Sequence, residues 1–160
     1  MAAKVHPSDS LHAVNPADEL ATRQPDLEVV VVSPARPIYE GLARWVTVRL
    51  PDGQLGVWPR HTDLVALLGV GLMRLGHTKS GKEDRFAVWG GFLKVTGGHK
   101  VTILVDRAVS ADEARANESG IREELGQVLE GLRHPATGEE FQLLLDRRRW
   151  LESQLRLCHP

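Results

Sequence analysis

Three histidines, His61, His77 and His99, with Asp63 close by in sequence, are residue types that could hold a metal inside a small barrel. Their spacing follows no ligand motif, and they read as surface or loop histidines. Gly76-His77-Thr78-Lys79-Ser80-Gly81-Lys82 carries the glycine and lysine spacing of a phosphate-cradling loop. Glu83 follows where a magnesium-binding hydroxyl belongs, and the next residues read as a strand, not a helix, so this segment is predicted to be an exposed hairpin loop. Cys158 and Ser80 are potential nucleophiles without a base or an oxyanion hole. Asp112 and Arg115, three apart on a helix, form an ordinary surface pair worth ~0.2 to 0.5 kcal/mol. Arg147, Arg148 and Arg149 make a basic run that suits either a solvated helix face or an acidic partner surface. No catalytic residue and no metal ligand is predicted.

The composition narrows the function classes further. The 160 residues are 42% apolar and 26% charged, enough for a buried core. Lys plus Arg (20) nearly balances Asp plus Glu (21), which argues against a nucleic acid or an anionic lipid surface as the main partner. One cysteine excludes an internal disulfide and fits a reducing, cytoplasmic setting. No apolar run approaches the ~18 residues of a membrane span, so no direct membrane insertion is expected.

Three regimes follow one another along the chain. Residues 1–26, with Pro7, Pro16 and Pro25 and little to bury, are predicted to be a disordered leader. Residues 27–109 alternate short Val-rich runs with turn signals such as Pro51-Asp52-Gly53, the pattern of a β-sandwich. Strands are expected over 27–33, 44–50, 54–58, 64–68, 71–75, 85–89, 92–96 and 100–105. Residues 110–160 change to helical periodicity. Ser110 with Glu113 and Thr137 with Glu140 have capping-box spacing and predict a helical hairpin broken at His134-Pro135-Ala136. Gly120, Gly126 and Gly131 weaken its first helix by about 1 kcal/mol each. In its second helix, Phe141, Leu144, Leu145, Leu151 and Leu155 form one seam, and Leu143, Trp150 and Leu157 lie on nearly the opposite side. The expected fold class is therefore α+β: an N-terminal antiparallel β-sandwich followed by a C-terminal α-helical hairpin.

Three segments in register carry a family resemblance: Gly53-Gln54-Leu55-Gly56-Val57-Trp58-Pro59-Arg60-His61, Phe86 to Val95 around Gly90-Gly91, and Val101 to Asp106. Together they resemble the epsilon subunit of F-type ATP synthases, from about Leu27 to Ala116 and more loosely to Pro160. Asp112-Glu113-Ala114-Arg115-Ala116 is similar to the family's nucleotide-sensing motif. Arg60 stands where the family usually has glycine, Gln54 where a carboxylate is common, and Ala111 where Ile or Leu is usual.

The resemblance implies a non-catalytic rotor subunit of the central stalk, coupling proton or sodium flow to ATP synthesis. It implies the gamma subunit and the ring of c subunits as partners, with alpha and beta reached through the hairpin. It places a stalk and ring interface at Gln54, Trp58, Arg60 and His61, and regulatory ATP at Asp112 and Arg115. Contacts that inhibit hydrolysis are implied for Arg147, Arg148 and Arg149. The implied location is peripheral, on the cytoplasmic face of a bacterial inner membrane. Two alternatives stand beside it: a free-standing ATP-responsive binding module, and a small metal-dependent β-barrel enzyme using the three central histidines.

Overall fold

The computed structural model describes residues 26–77, 81–134 and 137–159. The predicted leader therefore lies outside the described residues, apart from Asp26. Eight strands come first: β1 (Leu27–Val32), β2 (Pro37–Ala43), β3 (Trp45–Leu50), β4 (Gly53–Val57), β5 (Leu64–Leu67), β6 (Val70–Gly76), β7 (Glu83–Thr96) and β8 (Lys100–Ser110). They hydrogen-bond in the order β2-β1-β8-β7-β6-β3-β4, with β5 also pairing β7.

Two long strands fold this path into two layers. β8 pairs β7 along nearly its whole length, but midway β7 exchanges its other neighbour and β8 leaves β1. The second half of β7 pairs β5 from Leu67↔Phe92 to Leu64↔Val95, while its first half pairs β6 from Val70↔Trp89 to Gly76↔Glu83. The exchange falls at Gly90 and Gly91, whose φ values are 61° and 119°. A Cβ on Gly91 would sit 2.0 Å from the Leu104 carbonyl oxygen, so no side chain fits at the bend. One layer is thus β2-β1-β8-β7-β5 and the other β4-β3-β6-β7-β8, with β7 and β8 passing between them.

Alternation along each strand turns one set of residues inward. Val29 and Val31 of β1, Val46 and Val48 of β3, Met73 and Leu75 of β6, Leu93 and Val95 of β7, and Val101 and Ile103 of β8 meet in one buried cluster. That cluster draws only on sandwich residues.

Two predicted strands, 85–89 and 92–96, are one 14-residue strand, because the glycine pair bends the backbone without ending it. β2 was not predicted; its Pro37, Glu40 and Gly41 are poor strand formers, and it is an edge strand held by β1. The β1–β8 pair is parallel, which departs from the expected antiparallel sandwich. It closes one layer with a pairing between residues about 70 apart in sequence.

The helices follow as α1 (Ala111–Ala116), α2 (Glu118–Gly131) and α3 (Gly138–Cys158). Ser110 caps α1 in a full capping box with Glu113. The expected first helix is divided at Asn117, whose backbone leaves helical geometry at φ −120°, ψ 22°. Thr137 accepts a hydrogen bond from the Glu140 amide at 3.1 Å and caps α3.

A second apolar cluster docks the hairpin on the outer face of the β6–β7 layer. It unites Ala114, Ile121, Val128, Trp150, Leu151 and Leu157 with Ala87, and Val70, Leu72, Trp89 and Val109 pack around it. Trp89 and Trp150 meet edge to face, ring centroids 5.7 Å apart at 76°. The expected opposite seam of α3 thus holds at two of its three residues: Trp150 and Leu157 are buried, but Leu143, one helical heptad earlier, remains 67% exposed.

Charged groups tie the corners of this docking. Arg36 pairs with Glu113, whose carboxyl is held below the usual range first by its bonds to Ser110 and then by that guanidinium. Glu118 receives Arg122 at 2.6 Å and His159 at 2.9 Å, joining the start of α2 to the end of α3.

Candidate interaction surfaces

The hairpin covers the outer face of one layer; among the described residues nothing covers the other. Register there aligns Leu67 of β5 with Phe92 of β7, Phe92 with Leu104 of β8, and Leu104 with Val32 of β1. Leu67, Phe92 and Leu104 are 59%, 52% and 52% exposed. Val65, two residues before Leu67, points the same way and is also exposed. An apolar row crossing four neighbouring strands and facing solvent is characteristic of a surface that binds another protein. This row was missed in the sequence. The unbroken apolar runs Phe92-Leu93 and Ile103-Leu104-Val105 were its signal, since a strand wet on one face would alternate.

A second surface lies at one end of the same layer. Trp58, Arg60 and His61 sit in the loop between β4 and β5, against the β7–β8 turn. The Arg60 amide donates to the Gly98 carbonyl at 2.7 Å, and the Gly97 amide donates to Asp63 Oδ1 at 2.7 Å. Trp58 is 51% exposed, with its ring turned back over Gly56. It is thus a surface residue and not a core one. His61 Nδ1 lies 2.9 Å from the Thr62 carbonyl oxygen. Gln54 does not join this group. It lies at the β3–β4 hairpin opposite Arg49, and four residues of extended chain, about 13 Å, separate it from Trp58.

Arg60 is the only non-glycine residue with positive φ among the described residues, at 68°. The left-handed conformation costs an L-residue roughly 1 to 2 kcal/mol, a cost that a glycine at this place would not carry. Arg60→Gly is therefore expected to stabilise the chain by about 1 kcal/mol, read as an increase in urea midpoint without a change in slope.

Asp112 and Arg115 contact each other at 3.1 Å on the exposed face of α1. They line a shallow cleft whose other charged residues are Glu83, Asp84 and Arg85, so three carboxylates face two guanidiniums there. The three consecutive arginines of α3 are all engaged: Arg147 with Glu124 of α2, Arg148 with Glu152 at 2.7 Å, and Arg149 with Asp146 at 3.0 Å. In the docked hairpin this basic run is therefore paired within the chain.

The histidines do not assemble. His77 contacts Asp84 at 2.8 Å in the β6–β7 hairpin, and His99 turns back to the Gly97 carbonyl at 2.7 Å. No group of three His, Cys, Asp or Glu side chains among the described residues could hold a metal. The His77 amide donates to the Lys82 carbonyl at 2.9 Å, closing a hairpin turn where the phosphate-loop spacing occurs; Thr78, Lys79 and Ser80 lie outside the described residues. Cys158 is buried, and burial pushes its thiol pKa up, which makes it a poor nucleophile.

Comparison with known proteins places these surfaces in context. The family model described as the ATP synthase delta/epsilon chain, beta-sandwich domain, matches residues 26–111. An ATP synthase epsilon chain of Neisseria meningitidis serogroup C is 41% identical over 103 residues, spanning 62% of this chain and 73% of its own. That of Thioalkalivibrio sulfidiphilus is 39% identical over 99 residues, spanning 60% and 70%. Among solved structures, a chain of the Euglena gracilis mitochondrial ATP synthase (OSCP/F1/c-ring) superposes with a TM-score of 0.72 at 19% identity, covering 98% of this chain and 91% of that one. A chain from the central stalk and c-ring of the Tetrahymena thermophila mitochondrial enzyme gives 0.56 at 15%, covering 82% and 95%. At such identities the structural likeness concerns the fold.

Proposed function

The chain belongs to the ATP synthase epsilon-chain family, whose members are non-catalytic subunits, and from that premise we propose that it is a rotor subunit of the central stalk. In this reading it binds the gamma subunit and the c-subunit ring and couples proton or sodium flow to ATP synthesis. The uncovered apolar row Leu67–Phe92–Leu104 carries the proposal, because a torque-bearing coupler needs a rigid sandwich with an adhesive face. That row takes the gamma subunit. The polar end formed by Trp58, Arg60 and His61 takes the ring, as Trp and Arg are enriched at interface hot spots. No described helix is long and apolar enough to cross a membrane, which suits a peripheral position on the cytoplasmic face of a bacterial inner membrane.

The proposal extends to regulation. The hairpin is held by an apolar cluster separate from the sandwich core, so it can leave without opening that core. On leaving, Arg147 loses Glu124 if the two helices part, and its charge becomes free for acidic surface on the alpha and beta subunits. Extension in this way would restrain ATP hydrolysis, with ATP at Asp112 and Arg115 as a regulatory ligand supported by the motif resemblance.

Truncation after Ser110 tests it. The truncated chain should keep its core, expose Val70, Leu72 and Trp89, and raise ATP hydrolysis by the assembled complex. Hydrolysis at the intact rate would make the hairpin a structural appendage.

A further inference from the structure

Sandwich and hairpin are joined through two places where the chain can turn: Ser110, where β8 becomes α1, and Asn117, where α1 becomes α2. Ser110 is fixed from several directions. It pairs with Phe86 of β7, its hydroxyl accepts from the Glu113 amide at 3.4 Å, and its own amide and hydroxyl each donate to Glu113 Oε2 at 2.8 Å. Arg36 reaches the same carboxylate from the turn between β1 and β2. That turn is itself closed, because the Ser33 hydroxyl donates to the Arg36 carbonyl at 2.8 Å. α1 is thereby fastened to two parts of the sandwich.

Asn117 has no such fixing. It is exposed, its side chain makes no capping bond, and its backbone at φ −120°, ψ 22° stands outside the helical region although a helix runs on either side. Its amide turns back to the Ala114 carbonyl at 3.2 Å, while its carbonyl already accepts from the Ile121 amide at 3.0 Å. Bringing this one residue to ordinary helical angles takes about 60° in φ and about as much in ψ, and makes one continuous helix of residues 111–131. Hinges are built in this way, from single residues at element ends that absorb the backbone change.

The charged contacts divide at the same residue. Before it, Glu113 reaches Arg36 and Asp112 reaches Arg115. After it, Glu118 reaches Arg122 and His159, and Glu124 reaches Arg147, which ties α2 to α3. α2 packs chiefly on α3, and α3 packs on β6 and β7, so re-aiming α2 relative to α1 carries α3 off the sandwich.

We propose that Asn117 is the hinge of the hairpin: α2 and α3 leave the sandwich by rotation at this residue, while α1 stays in place at the end of β8. The inference rests on the proposed release of the hairpin, and the hinge is read in the isolated chain, where loss of the release and loss of the hinge give different results.

Double electron–electron resonance on the full chain tests it, with Cys158→Ser throughout and spin labels at pairs of exposed positions. Thr102→Cys with Glu139→Cys spans sandwich and hairpin, Thr102→Cys with Ala116→Cys spans sandwich and α1, and Glu40→Cys with Gln54→Cys lies within the sandwich as the control of folding. Trp150→Ala supplies the released state. It should lengthen the 102–139 distance by about 10 Å or more, since the far end of α2 lies about 20 Å from the hinge, and leave the other two distances unchanged. Asn117→Ala added to it should raise the share of the longest 102–139 distances roughly threefold, because alanine favours the continuous helix. If the 102–116 distance changes together with the 102–139 distance while the control holds, the pivot is Ser110 and the hinge is overturned; an Asn117→Ala substitution without effect also removes it. A 102–139 distance that Trp150→Ala leaves unchanged overturns the release itself, and a change in the 40–54 distance, showing that the sandwich opens with the hairpin, overturns both.

Discussion

Aspartate at both Leu67 and Phe92 should abolish assembly of the chain into the ATP synthase while leaving its own folding intact. Both side chains are more than half exposed, so the substitutions remove little buried surface and should shift the melting temperature by no more than a few degrees. At an interface each would replace an apolar anchor with a charge that must be desolvated. Taking about 2 kcal/mol for each hot-spot residue, the pair costs roughly 4 kcal/mol, close to a thousandfold in affinity. Affinity capture of tagged variant and parent chains from the same cells measures it. Equal recovery of the gamma subunit with both would remove this face from the interface.

Trp150→Ala should have the largest effect on the hairpin. Trp150 is buried and lies edge to face on Trp89, and truncating such a side chain costs about 3 to 5 kcal/mol. Because the sandwich has its own core, the loss should appear as release of α3 and not as global unfolding. Amide exchange in α3 should accelerate by a factor on the order of 100 to several thousand at this cost, with exchange in β3 and β8 little changed. Uniform acceleration throughout the chain would show that hairpin and sandwich fold as one unit.

Local chemistry made much of this fold legible. Val-rich runs ended by Pro, Asp and Gly marked β1 and β3, and Ser110 with Glu113 marked the change to helix at the residue where it occurs. Non-local decisions were not legible. Nothing within β1 states that it will pair in parallel with β8, and Gly90-Gly91 reads as a turn although β8 carries β7 through it. Asn117 divides the first helix without a proline or glycine beside it. For the interaction surfaces, the resemblance grouped Gln54 with Trp58, Arg60 and His61 by matching positions along one motif, and an extended strand separates the first from the rest. The departure at Arg60 was visible, and its positive φ supplies the physical reason.

The central claim is that this chain is a central-stalk subunit held by its sandwich. It is tested most directly by detergent solubilisation of native membranes and affinity capture through a tag on the full chain, with the captured proteins identified by mass spectrometry. The account predicts that the gamma subunit and the c ring are recovered with it, in stoichiometric yield, with ATPase activity in the eluate. Recovery of the chain alone, with gamma and c left in the unbound fraction as an intact enzyme, would contradict it.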